Sequence, residues 1–279
     1  MVRILGGLVG LAFALMALIG LGSTAYSWIT DPPPETAEHE FHEEPKKVSF
    51  ASDGPFGKFD RQQVQRGYQV YKEVCAACHS VNLVSIRDLA QLGYTEAEIK
   101  AEAAKFTVPS VNQETGEAAT RPGTPADRFP LVYPNEVAAR AANNNAIPPD
   151  LSLMVKAREG GPQYIYSLLT GYQAQQPAEL VKKFPGAVTP PGLHYNPYFP
   201  NLNIAMPPPL VADGQVTYAD GKTATTKQMA RDVSAFLVWT AEPNLESRHR
   251  SGLAAIIFLL IFAALTYGAY RNIWKGVKE

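Results

Sequence analysis

The sequence predicts a mainly α-helical protein in which short helices are joined by long loops. Apolar residues recur at helical spacing in several segments, as in Val64, Tyr68 and Tyr71. The 279 residues include 23 prolines, which indicates stiffened connections between the helices. Both ends of the chain are strongly apolar. We therefore expect one helical domain flanked by two hydrophobic helices.

The first apolar segment runs from Ile4 to Gly22 and follows Arg3. Ser23 and Ala25 are small residues with the spacing of a signal-peptidase site. Two interpretations of residues 1–25 stay open, a cleaved signal peptide and a retained signal-anchor helix. Either one would carry the following residues across a membrane.

Residues 26–55 are predicted to form an acidic, proline-rich linker. Three prolines follow Asp31, and five glutamates occur before Pro45. His39 and His42 lie in this segment, but a solvated linker containing histidine is commoner than a metal site. We expect no metal there.

The next predicted helix leads into the most informative motif of the chain. Asp60 is a good N-cap, and Gly67 leaves room for another helix to approach closely. The helix ends in Cys75-Ala76-Ala77-Cys78-His79. A Cys-x-x-Cys-His sequence is the attachment site of a c-type haem. The two thiols would bind one porphyrin, and His79 would be an axial ligand of its iron.

A dithiol redox pair and half of a zinc site are the alternatives for this motif. Zinc would need more ligands, whereas the chain has only two cysteines. A thioredoxin-like pair occurs near a βαβ unit, and the sequence has no such pattern. We therefore expect one covalent haem c that uses both thiols.

The elements after the motif follow from spacing, capping residues and breakers. The sequence favours a loop over 108–128, a long proline-rich loop over 174–210, and a small strand and turn over 216–222. Asp150 or Ser152 is expected to cap the short helix over 151–158. The other predicted helices cover 95–106, 135–144, 163–170 and 226–239.

Gly252 to Tyr270 carries no charge and predicts a C-terminal membrane anchor. Arg250 precedes the segment, and Arg271, Lys275 and Lys278 follow it. We assign residues 251–270 to the transmembrane helix and 271–279 to a cytoplasmic tail.

The iron needs a sixth ligand, for which the candidates are His194, Met154, Met206 and Met229. Met229 lies on the apolar stripe of the last predicted soluble helix, and Met154 is also a candidate for the core. Met206 lies in a loop before three prolines, which would stiffen a ligand-bearing segment. The pattern favours Met206 over His194. A His/Met pair would suit a high-potential electron carrier.

The chain resembles the cytochrome c1 family, the haem-bearing subunits of cytochrome bc1 complexes. The resemblance extends over about 56–275 and rests on six stretches in the family's order. These are GYQVYKEVCAACHS, YPNEVAARAANNNAIPPDLSLMVKAREGG, YIYSLLTGY, HYNPYFPN, IAMPPPL and KQMARDVSAFLVWTAEP. It implies a cytochrome c-like helical domain over 56–245, with long loops around one covalent haem.

The resemblance also implies roles for individual residues. Cys75 and Cys78 would carry the haem, and His79 and Met206 would be its axial ligands. Arg158 would pair with a haem propionate. Further positions that would line the pocket are Asn143, Pro149 and Tyr164. Asn145 and Asn201 stand where the family commonly has glycine, but asparagine tolerates a positive φ.

The function implied by the resemblance is electron transfer within quinol oxidation. The protein would accept an electron from the Rieske iron–sulfur protein and pass it to cytochrome c, beside cytochrome b in a dimeric complex. It would not be catalytic alone. The haem domain would lie on the periplasmic side of the inner membrane. Five glutamates are candidates for a surface that attracts a basic partner: Glu96, Glu98, Glu102, Glu114 and Glu117.

Two other functions are alternatives to this one. A haem enzyme or sensor would need an open sixth position, and a tether protein would carry the haem incidentally. The formal net charge of −1 implies no basic surface for nucleic acid.

Overall fold

The structure is a computed structural model that describes residues 2–32 and 34–276, and it is mainly α-helical. This confirms the predicted fold class. Ten α-helices are described: α1 Val2–Thr30, α2 Ala37–Phe41, α3 Arg61–Glu73, α4 Glu96–Ala103, α5 Glu136–Ala142, α6 Met154–Ala157, α7 Gly161–Leu169, α8 Ala178–Lys183, α9 Thr226–Ala241 and α10 Leu245–Ile273. Three 3-10 helices cover Cys75–Ala77, Ile86–Leu92 and Pro185–Ala187 in the described part of the chain.

The centre of the domain is the contact between α3 and α9. The Asp60 side chain caps α3 by accepting from the Gln63 backbone N–H at 3.1 Å, as the sequence predicts. A Cβ at Gly67 would collide with the Asp232 carbonyl, so this position requires glycine. The rings of Tyr71 and Phe236 stack at 5.4 Å. The helix that leads to the cysteine motif is thereby fixed on α9.

The predicted loop over 108–128 is wrong, because it contains an antiparallel hairpin. Strand β1, Thr107–Val111, pairs with β2, Ala118–Pro122. Pro109 lies within β1, and β2 has no buried residue. The usual alternation of buried apolar and exposed polar residues is therefore weak here.

The predicted strand over 216–222 is also wrong, since this segment is irregular. Val216 and Tyr218 are buried, which produces the alternation that suggested a strand. The segment packs on α3, where Arg66 lies 5.8 Å from the centroid of the Tyr218 ring and Gln69 donates to the Thr217 carbonyl at 2.8 Å. The pattern reflects packing on a helix and not strand pairing.

The long predicted loop over 174–210 contains α8 and a two-residue ladder between β3, His194–Tyr195, and β4, Asn203–Ile204. Asn145 has a φ of 64°, as expected for an asparagine at a glycine position. Asn201 does not, because Leu202 adopts the positive φ, 63°, in its place.

Part of the predicted linker is folded. Residues 37–41 form α2, and Phe50 is buried in the main core. Pro33, in the same predicted segment, lies outside the described residues. The linker prediction missed this packing because the partners of the segment lie more than a hundred residues away.

The helices α1 and α10 each contain 29 residues, with mean hydropathy 2.5 and 2.2 in their most apolar windows. At about 1.5 Å per residue, either helix exceeds the roughly 30 Å of a bilayer core. No residue of α1 is buried, and Leu245 alone is buried in α10. Lys278, a predicted flanking residue of the C-terminal segment, lies outside the described residues.

Candidate haem site

The cysteine motif forms a single turn directly after α3. The backbone N–H groups of Cys78 and His79 both donate to the Cys75 carbonyl, at 3.1 and 2.9 Å. Both cysteines are unpaired and half-buried. Cys75 packs against the main core. The turn therefore presents two thiols and an imidazole together at the edge of the core.

The environment of Cys75 is unlike that of a dithiol redox centre. Burial raises the pKa of its thiol to about 12. Redox-active Cys-x-x-Cys pairs instead need a lowered thiol pKa. The structure thus gives the dithiol alternative no support.

His79 is held in one orientation by its backbone surroundings. Its Nδ1 lies 2.8 Å from the Pro149 carbonyl oxygen. A carbonyl only accepts, so the Nδ1 atom carries the proton and Nε2 is left with a free lone pair. This is the state in which an imidazole binds a metal. The structure thus brings predicted Pro149 to His79, where the contact is made by a backbone oxygen.

Further bonds join the segment after His79 to the segment after Pro149. The Leu151 N–H donates to the Ser80 carbonyl at 2.8 Å. The Asp150 carboxylate accepts from the Asn82 N–H at 2.8 Å, and the Ser152 hydroxyl accepts from the Leu83 N–H at 3.1 Å. Asp150 and Ser152 therefore clamp the two segments, and neither caps α6 as expected.

Tyr71 is a site residue that sequence reasoning missed. Its hydroxyl donates to the His79 carbonyl at 3.0 Å, and burial raises its pKa. Its helical spacing identified it only as a core residue of α3. The donated bond shows that it also fixes the backbone of the motif.

The structure narrows the candidates for the second axial ligand. Met229 is fully buried and Met154 is 8 % exposed, so both are core residues. Met206 is half-buried and packs against the same core as Cys75. The Tyr172 hydroxyl donates to its carbonyl at 3.0 Å, a contact that the sequence did not reveal. His194 lies in β3 opposite Ile204, two residues before Met206.

Arg158 and Tyr164 lie next to one another. Arg158 is exposed, donates to the Ala157 carbonyl at 3.1 Å, and belongs to none of the ion pairs among the described residues. Burial raises the pKa of Tyr164, and the Arg158 guanidinium opposes that rise. Burial raises the pKa of Tyr172, and the nearby Tyr164 adds to that rise. The row of side chains thus leads from Arg158 towards Met206.

Asn143 is the predicted pocket residue with the least direct connection to this set. Its amide donates to the Ala139 carbonyl at 2.7 Å, at the C-terminal end of α5. The described contacts give it the role of ending that helix.

These residues fit a haem. The thiols share one turn, the imidazole has a free nitrogen, and Arg158 offers an unpaired cation that could receive a propionate. The Met206 thioether, which borders the same core, would supply a second donor. This donor set defines the class of c-type cytochromes.

Comparison with known proteins identifies the family. The model of the cytochrome C1 family matches residues 50–277. The chain therefore belongs to the cytochrome c1 family, whose members carry a haem.

Similar proteins occur in bacteria and in a yeast. The chain is 45 % identical to cytochrome c1 of Rhodospirillum rubrum, over 84 % of this chain and 88 % of that protein. It is 46 % identical to the "cytochrome b-c1 complex catalytic subunit, mitochondrial" of Candida albicans, over 87 % and 81 % of the two chains. It is 48 % identical to cytochrome b/c1 of Bradyrhizobium diazoefficiens, over 82 % of this chain but only 35 % of that longer protein.

Proposed function

We propose that the chain is the membrane-anchored, monohaem c-type cytochrome of a bc1 complex. Cys75 and Cys78 bind the haem covalently, and His79 and Met206 are its axial ligands. The observation that carries the proposal is the turn Cys75–His79, which groups two thiols with one imidazole. Because the Nδ1 atom of His79 is bonded to the Pro149 carbonyl, its Nε2 atom stays free. The membership of the cytochrome c1 family supports it.

The bound haem supplies a one-electron couple, and the side chains set the conditions under which the protein uses it. His79 is fixed at its ring by Pro149 and at its carbonyl by Tyr71. Tyr172 fixes the backbone of Met206. Arg158 compensates the charge of a propionate. Two protein ligands close the iron to substrates, as an electron carrier requires.

The proposed partners are a Rieske iron–sulfur protein as donor, cytochrome c as acceptor and cytochrome b in the membrane, within a dimeric complex. The names of the Candida and Bradyrhizobium relatives, a cytochrome b-c1 complex subunit and a cytochrome b/c1, support the assignment to such a complex. Docking of the acceptor is electrostatic and short-lived. Four of the predicted glutamates are exposed, Glu96, Glu98, Glu114 and Glu117, whereas Glu102 is buried and belongs to the interior.

The proposed topology places the haem domain on the periplasmic side of the cell membrane. Helix α10 anchors the domain, with the basic residues that follow its apolar segment in the cytoplasm. The length and apolar composition of α10 support this arrangement. Helix α1 is either a second anchor or a signal sequence.

The Met206→Leu variant tests the ligand assignment. We expect a much lower reduction potential and loss of quinol-dependent cytochrome c reduction, because a leucine offers no lone pair to the iron. Met154→Leu is the matched control, since Met154 is a core methionine of α6 and the exchange nearly conserves its volume. An unchanged potential in Met206→Leu would contradict the assignment and make His194 the next ligand to test. Carbon monoxide binding by the reduced wild-type protein would favour the haem enzyme or sensor instead.

A further inference from the structure

Residues 36–50 form a strap across the surface of the haem domain. The strap begins where the Thr36 hydroxyl caps α2 by accepting from the His39 N–H at 3.2 Å. It continues without regular structure to Phe50, which is buried in the main core. Both of its ends are therefore attached to the domain.

The first part of the strap packs on the segment that carries Met206, residues 171–210, which we call the Met206 loop. Ala37 is 5 % exposed and forms a small separate core with Leu180, Tyr195 and Leu202. Phe41 meets Phe184 edge-to-face, with ring centroids 6.3 Å apart. Leu180, Tyr195 and Leu202 are each less than 5 % exposed, so α2 covers this part of the Met206 loop.

An ion-pair clamp holds α2 in this position. Lys183, the last residue of α8, lies 2.9 Å from a Glu35 oxygen and 2.5 Å from a Glu40 oxygen. Glu35 precedes α2 and Glu40 lies within it. One lysine of the Met206 loop thus bridges both ends of the short helix.

The middle of the strap is bonded to the same loop and to α7. The Glu43 N–H donates to the Pro197 carbonyl at 2.8 Å. The Lys46 N–H donates to the Ser167 hydroxyl at 2.8 Å, and its Nζ donates to the Thr170 hydroxyl at 2.9 Å. Burial and the Glu43 carboxylate raise the pKa of Tyr198 to about 12.

A short path leads from these contacts to Met206. Leu202, which α2 helps to bury, accepts from the Asn196 N–H at 2.8 Å and immediately precedes β4. Met206 follows the end of β4 by two residues. A shift of Leu202 would therefore be transmitted along β4 to the methionine.

We propose that the strap positions Met206. Phe41 of the strap and Lys183, the lysine of the Met206 loop that binds the strap, are the positioning residues. The inference rests on the proposed function, since it takes Met206 as an axial ligand. A thioether is a weak ligand for iron. How often the methionine stays bound therefore depends on how few other conformations the Met206 loop can adopt when the sulfur-to-iron bond opens. The strap removes that freedom from outside the loop. Without it, Met206 would leave the iron more often.

The test uses the full-length, haem-loaded protein and the variant Phe41→Ala. We expect weakening of the methionine-to-iron charge-transfer band of the oxidised protein, a lower potential, and several-fold faster binding of carbon monoxide after reduction. The matched control is Phe56→Ala, because Phe56 is 73 % exposed and lies outside the strap. It should behave as wild type.

Lys183→Gln provides a milder second variant, since it breaks the clamp without opening a cavity. A smaller change in the same direction is expected, even if Phe41→Ala folds poorly. Normal band, potential and carbon monoxide binding in both variants, with the band lost in Met206→Leu, would overturn the strap inference alone. Retention of the band in Met206→Leu would instead overturn the ligand assignment on which the inference rests.

Discussion

Asp232 holds α9 against the helix that leads to the haem motif. It is fully buried, and its Oδ2 accepts from Arg66 Nε at 3.0 Å. Its Oδ1 accepts from the side-chain amides of Gln63 and Gln228, at 3.0 and 2.7 Å. Asp232→Ala would therefore leave three donors without this acceptor, one of them a guanidinium in the interior.

The stability that Asp232→Ala loses depends on which contacts Arg66 keeps. Removing one partner of a buried ion pair costs about 3–5 kcal/mol of unfolding free energy. Arg66 keeps its contact with Asp220 at 2.6 Å, although the Asp220 side chain is 34 % exposed. We expect the lower end of the range, about 3 kcal/mol. Asp232→Asn keeps one carbonyl acceptor but loses the charge, so we expect about 2 kcal/mol.

The assay is urea unfolding of the haem-loaded protein in detergent, followed by haem absorbance and by far-ultraviolet circular dichroism. Glu96→Gln is the control, because it breaks only an exposed pair with Lys100 and should not change stability measurably. An Asp232→Ala unfolding free energy within about 0.5 kcal/mol of wild type would refute the reasoning, since such a change is typical of a surface site.

Two further predictions concern Glu102 and Arg158. Burial opposes ionisation of Glu102, but bonds from Lys105 and Tyr68 outweigh it and lower the pKa of the carboxyl below its ordinary value near 4.5. The ionised carboxylate should therefore contribute its full stabilisation above about pH 4.5 and lose it as the pH falls through the lowered pKa. The difference in unfolding free energy between wild type and Glu102→Gln should then close in acid, and a difference that widens would contradict this. Arg158→Ala should loosen the haem and shift its potential, and an unchanged potential and urea midpoint would remove Arg158 from the site.

The features that sequence reasoning identified depend on neighbouring residues. The boundaries of α3 follow from the Asp60 cap and the spacing of Val64, Tyr68 and Tyr71. The cysteine motif is complete within five residues, so its chemistry needed no tertiary information. Gly67 was also interpretable, because a glycine within an apolar helical face indicates close packing.

The features that it missed depend on distant partners. Strand β1 contains a proline and carries little apolar alternation. The strap looks like a solvated linker until its partners Leu180 and Tyr195 are known. Tyr172 could not be linked to Met206 from the sequence, because a tyrosine hydroxyl that bonds a loop carbonyl leaves no periodic signal.

The most direct test of the proposed function is an optical spectrum of the purified full-length protein, oxidised, then with ascorbate, then with dithionite. We predict a c-type spectrum that develops fully with ascorbate, as a high-potential His/Met haem requires. Reduction by dithionite alone would contradict Met206 as the ligand, and the absence of a haem spectrum would contradict the haem site itself.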